Sequence, residues 1–212
     1  MTALVRYQLA QLAHTQRFLI PVLAYLGLLA VLYADAAGPA LPSYAITAGA
    51  LLLVTGWLTL ALVDTEDSVQ RAITVSHCGS TLRLLFATVL TLAACAAGLT
   101  VVAMAWPTVT LAASYAMDEL AIGLLAHLSC AGAGIAFALP CSGLLIRRLG
   151  YRVMITAVVL IVLLLVRIPL INPLLRAMGE ARQPDTLATW VAVAPVLLLV
   201  ASPIVVARYA AS

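Results

Sequence analysis

At 212 residues the chain is the size of one or two soluble domains, yet 65% of it is hydrophobic, 9% is charged and its mean hydropathy is +1.14. A soluble protein carries roughly 25% charged residues, so this chain has too few charges to cover a soluble surface, and its apolar side chains are expected to face lipid. The net charge of +3 is too small, and the basic residues too scattered near the ends of apolar runs, for a nucleic-acid surface.

All 11 basic residues are arginine. The lack of lysine excludes a Walker A phosphate loop, whose lysine reaches the β- and γ-phosphates, and also Schiff-base chemistry. Energy for any transport must therefore come from a gradient or from a partner. Cys78, Cys95, Cys130 and Cys141 have no CxxC spacing, and three of them lie in apolar runs. They read as small hydrophobes, so neither a metal, a disulfide nor any other cofactor is expected.

In residues 1–17, Val5, Leu9 and Leu12 recur at helical spacing opposite Arg6, Gln8, Gln11, Thr15 and Arg17. This pattern predicts a short amphipathic helix lying in the membrane interface. Residues 18–34 form the first apolar run, which ends in Ala34-Asp35-Ala36, a pattern of the signal-peptidase kind. The run exceeds the roughly 7–15 residues of a signal core, so it is read as the first span. Gly38-Pro39-Ala40-Leu41-Pro42 predicts a tight turn before a second span over 43–63. After a polar stretch over 64–83, a third span runs over 84–106, stopped by Pro107, and Asp118 and Glu119 follow it. That carboxylate pair reads as solvated, because adjacent helical residues point in different directions. A fourth span over 120–146 is closed by Arg147, Arg148 and Arg152, and a fifth covers 153–168. A loop with Pro169, Pro173, Gly179 and Pro184 leads to the last span, over 187–207. The prediction is one all-α polytopic domain over 1–212 with six spans, each of about 20 residues.

Basic residues near span ends stay on the cytoplasmic side. With the N-terminus inside, Arg6, Arg17, Arg71, Arg83, Arg147, Arg148, Arg152 and Arg208 are cytoplasmic, and only Arg167, Arg176 and Arg182 are outside. Both termini and the 64–83 stretch are therefore expected in the cytoplasm, with the chain in the inner (plasma) membrane. Small residues give the third span (Ala93, Ala94, Ala96, Ala97, Gly98) and the fourth (Gly123, Ser129, Ala131, Gly132, Ala133, Gly134) surfaces that let helices approach closely, so both are expected inside the bundle. His127 has no carboxylate at helical spacing and reads as a packing or hydrogen-bonding residue. Pro140, Pro195 and Pro203 mark either kinks lining a cavity or tolerated bends.

The 64–83 stretch is the most informative part of the chain. Asp67 followed by Gln70 resembles a capping box, and Asp64, Glu66 and Asp67 sit where the positive end of a helix dipole favours them. Val69, Ala72 and Ile73 form a small apolar patch, and Gly79 is a natural stop. A short capped helix over 67–76 is expected between the second and third spans, as a docking element.

With an interfacial N-terminal helix, the spans and an acidic Glu-Asp-x-x-Gln segment running to a Gly-Ser, the sequence resembles the permease subunits of type-2 ABC transporters. The likeness is strongest over 57–92, where Glu66-Asp67, Gln70-Arg71 and Gly79-Ser80 stand in the family's coupling-helix region. A common version has Gly-Thr after the acidic pair and a proline at the end of the helix; here Ser68-Val69 and His77-Cys78 occupy those places. The resemblance implies a permease dimer, formed with a second copy or a paralogue, that makes the membrane path while a separate cytoplasmic ATPase binds ATP. Glu66, Asp67, Val69, Gln70, Arg71, Ala72, Ile73 and Gly79 would then receive the ATPase, and the N-terminal interfacial helix would share in receiving its motion. The competing expectation is a substrate-capture subunit of a vitamin-type importer, which lacks such a helix. An enzyme acting on lipid would need carboxylates clustered at the membrane face, with companions that Asp64, Glu66 and Asp67 do not have.

Overall fold

The computed structural model describes residues 1–34, 38–111, 115–142, 148–166, 170–182 and 192–210. Among these residues the chain is all-helical, with α1 (Thr2–Thr15), α2 (Leu19–Leu32), α3 (Ala40–Val63), α4 (Ser68–Cys78), α5 (Thr81–Leu111), α6 (Met117–Cys141), α7 (Leu149–Leu165), α8 (Asn172–Gly179) and α9 (Ala194–Ala210). The 24 residues of α3, 31 of α5 and 25 of α6 make them long and apolar enough to cross a membrane. The protein is thus a membrane protein by the length and composition of its helices. Against the six spans expected, three such helices are present among the described residues, or four if α1 and α2 together form one bent span. The apolar helices α7 and α9 have 17 residues each, and α2 has 14. The first turn expected of the last span, with Pro169 and Pro184, lies outside the described residues.

Gln16 adopts the left-handed conformation (φ 54°), and α1 turns 80° away from α2 at this break. Which face of α1 is buried differs from expectation. Gln8 is buried: its Nε2 donates to Thr88 Oγ1 (2.9 Å), and its Oε1 accepts from Thr91 Oγ1 (3.0 Å). Leu12 is buried beside it, whereas Leu9 is exposed. The apolar pattern misleads because α1 lies on the α5 segment carrying those hydroxyls, where a paired amide is stable and an unpaired one costly.

Two expected helix stops are absent. Pro42 sits in the first turn of α3, where its missing N–H has no intrahelical partner to lose, so the turn before this span is shorter than expected. Pro107 lies inside α5, which continues to Leu111, with the Thr108 and Thr110 hydroxyls donating back to the Ala105 and Trp106 carbonyls at 2.7 Å each. Part of the loop expected before the last span is instead α8, where Pro173 stands at the helix start, its preferred position.

The central pair is α3 and α6, which share the largest interface. Of the most apolar 18-residue stretch, 78% is buried in α3, 61% in α6 and 50% in α5. Gly123 lies against Tyr44, His127 against Thr47, and Gly134 against Thr55 and Leu52, so the two helices run parallel. By contrast α7 is antiparallel to α3: Arg152 meets Asp64, Leu160 meets Gly56 and Leu164 meets Gly49. The small residues of α6 are buried as expected. Those of α5 are buried only in part: Ala96 lies in the core, whereas Ala94, Ala97 and Gly98 are exposed, and a side chain at Gly98 would meet nothing within 4 Å. His127 is fully buried with both ring nitrogens engaged, Nδ1 with the Gly123 carbonyl (2.7 Å) and Nε2 with Thr47 Oγ1 (3.1 Å), and it packs edge-on to Tyr44. It is a packing and hydrogen-bonding residue.

Candidate functional site

The 64–83 stretch folds into α4, which begins within one residue of the expected start and runs two residues past the expected end. The Asp67 carbonyl accepts the Arg71 N–H (2.9 Å), which places Asp67 at the cap. Gly79 has φ 73°, the left-handed position that closes a helix and that a side chain would strain, so this glycine is required by the backbone. Arg83 Nη1 donates to the Cys78 carbonyl (3.4 Å), putting a cation at the negative end of α4. The Ser80 carbonyl already accepts the Leu84 N–H of α5, so Gly79 and Ser80 alone join the two helices.

One face of α4 is fixed to the bundle. Arg71 is half-buried and its Nη2 donates to the Val63 carbonyl (2.7 Å), the last residue of α3. Arg17 Nη1 donates to the neighbouring Asp64 carbonyl (3.0 Å), and Arg152 forms an ion pair with the Asp64 carboxylate. Three guanidinium groups, brought from the α1–α2 junction, α4 and α7, thus meet the carbonyl end of α3, where the helix dipole favours cations. Gln70 Nε2 donates to Tyr7 Oη (2.9 Å), tying α4 to α1 as well. The opposite face is open: Val69 is 64% exposed and Ile73 55%, with Ala72 exposed between them.

Of the expected site residues, Glu66 and Arg71 turn toward the bundle, while Val69, Gln70, Ala72 and Ile73 are exposed, as are Asp67 and Gly79. Beneath α4, Glu66, Arg71, Gln8 and Gln11 help line a cavity of about 20 Å³. Burial pushes the Glu66 carboxyl above its ordinary range, and the Arg71 guanidinium offsets this only in part. Burial likewise lowers Arg71, against the opposing pull of Glu66 and Asp64. Among the described residues, Glu66 Oε1 and Gln11 Oε1 have no hydrogen-bond donor.

With its folded pKa raised, Glu66 destabilises the fold above its unfolded pKa, and the penalty disappears as pH falls through the folded value. Glu66→Gln, which removes the charge and adds a donor beside Gln11, is expected to stabilise the detergent-solubilised protein by about 1 kcal/mol near neutral pH, a figure reduced for the residue's partial exposure. At acid pH, where wild-type Glu66 is protonated, the gain should vanish in thermal unfolding; an equal gain at both pH values would show that the charge is not its source.

The family resemblance places the N-terminal helix at this site as a whole, but sequence reasoning does not single out Tyr7, Gln8 or Arg17. Their partners lie 63, 80 and 47 positions away, so no local spacing marks them. No family model matches the chain, and no curated protein or solved structure matches it.

Proposed function

We propose that the chain is the membrane-spanning permease subunit of a type-2 ABC transporter that exports a substrate across the plasma membrane. ATP is bound and hydrolysed by a separate cytoplasmic ATPase, and a second permease copy or paralogue completes the path. The observation that carries this reading is the form of α4: a capped helix anchored by Arg71 and Gln70 on one side, with Val69, Ala72 and Ile73 exposed on the other. That apolar face is too small to form a core of its own but suits a groove on a partner. Its rigid attachment to α3 and α1 would carry a push on α4 into the bundle. The meeting of Arg17, Arg71 and Arg152 at one end of α3 supports a cytoplasmic location for that end, by the arginine bias. The parallel α3 and α6 and the antiparallel α7 support six alternating spans.

Ile73→Asp tests the reading. The full-length chain is co-expressed with the ABC ATPase subunits of its source organism and affinity-purified, with membrane insertion checked in parallel. Wild type is expected to retain an ATPase, and the variant to insert normally but lose it, since removing a buried apolar anchor costs about 2 kcal/mol or more. Equal recovery would make α4 a mere connector and remove the main support for the permease reading.

A further inference from the structure

Along the outside of the bundle, between α2, α3 and α7, lies an apolar groove of about 480 Å³ that the transporter reading does not use. Its walls include Ile20, Leu53, Trp57 and Val153, which are 62%, 38%, 49% and 52% exposed, so the groove opens sideways, away from the helices. On α3 it extends from Leu53 to Asp64. Eleven helical steps span about 16 Å, half of a hydrocarbon core about 30 Å thick. The groove is therefore one leaflet deep, and its mouth is at the end of α3 that carries the arginines.

The charge at that mouth is unbalanced. The Asp64 carboxylate is engaged by Arg152, while Arg17, among the described residues, hydrogen-bonds through Nη1 to the Asp64 backbone carbonyl alone. Among the described residues no carboxylate forms an ion pair with Arg17. A guanidinium has five N–H donors in a planar fork suited to phosphate oxygens, so Arg17 retains donors on its exposed side. An apolar channel one leaflet long, with a cation at the interfacial end, matches a lipid with a negative headgroup in both length and charge.

We propose that this groove binds an anionic phospholipid of the adjoining leaflet, with an acyl chain along Leu53 and Trp57 and the phosphate on the Arg17 guanidinium. The inference needs only that the chain lies in a membrane; it does not depend on the transporter reading.

Trp57 provides a probe inside the groove. With Trp106→Phe and Trp190→Phe it is the single tryptophan of the three in the chain. The full-length protein is reconstituted in phosphatidylcholine vesicles containing an equal small fraction of either acyl-brominated phosphatidylglycerol or acyl-brominated phosphatidylcholine, and quenching of Trp57 is measured. The phosphatidylglycerol is expected to associate about fivefold more strongly, as one interfacial arginine provides. Arg17→Gln should abolish that preference, while Arg6→Gln, a charge removed elsewhere on α1, should leave it intact. Ala157→Phe, which fills the groove and keeps the Arg17 side chain, should reduce quenching by both lipids. Equal quenching by the two lipids in the parent protein would overturn the proposal, as would a preference that survives Arg17→Gln, or one lost equally in Arg6→Gln. Unchanged quenching in Ala157→Phe would show that the lipid lies elsewhere.

Discussion

Replacing Gly134 by alanine is expected to destabilise the protein by about 3 kcal/mol or more, at the upper end of overpacking effects. A Cβ at this position would overlap Thr55 Oγ1 and the Leu52 carbonyl oxygen, and would stand 3.3 Å from the Gly56 nitrogen. Two of these atoms belong to the α3 backbone. No rotamer change can move them, so α3 and α6 must separate along their shared interface, where lipid supplies no hydrophobic drive to hold them together. At Gly132 a Cβ would lie 3.2 Å from the Pro195 carbonyl of α9, a milder conflict, so Gly132→Ala should cost less. At Gly98 it would meet nothing within 4 Å, and Gly98→Ala should be neutral, or stabilising by up to about 1 kcal/mol through helix propensity. Thermal unfolding in detergent orders the three variants. Equal midpoints for Gly134→Ala and Gly98→Ala would show that the close approach of α3 and α6 is not needed for the fold.

Asp64→Ala is the second large effect, an expected loss of about 2 kcal/mol. The Asp64–Arg152 pair is 16% and 15% exposed, so its rupture should cost less than the roughly 3–5 kcal/mol of a fully buried pair. The change also removes one negative charge from a helix end where Arg17, Arg71 and Arg152 meet. Adding Arg152→Met is expected to recover part of the loss, since an apolar side chain of similar length needs no counter-charge. If the double variant is no more stable than Asp64→Ala in the same unfolding assay, the loss comes from the α3 terminus itself and not from the pair.

Much of the local structure was legible in the sequence because it depends on local chemistry. The apolar runs over 43–63, 84–106 and 120–146 correspond to the three long helices, since a continuous stretch of that length in lipid must satisfy its backbone internally. The end of α4 at Gly79 followed from the need for a left-handed residue there. Its open Val69, Ala72 and Ile73 face followed from helical spacing. Pro107 and Pro42 do not stop their helices, because whether a proline ends a helix depends on its position in the first turn and on hydroxyls nearby, not on the residue alone.

The sequence by itself therefore determined that the chain is helical and apolar enough for a membrane, and where a short polar-flanked helix would form between the second and third apolar runs. Only the tertiary structure decided which small residues are buried: α6 closes on α3 through Gly123 and Gly134, while on α5 Ala96 packs inward and Ala94, Ala97 and Gly98 stay open. It also decided that Gln8 points inward to Thr88 and Thr91, and that arginines from three separate segments share one helix end. The physical reason is the same in each case. Helix formation is set by residues a few positions apart, whereas a buried amide, a close backbone approach or a shared counter-charge depends on partners dozens of positions away, which only packing brings together.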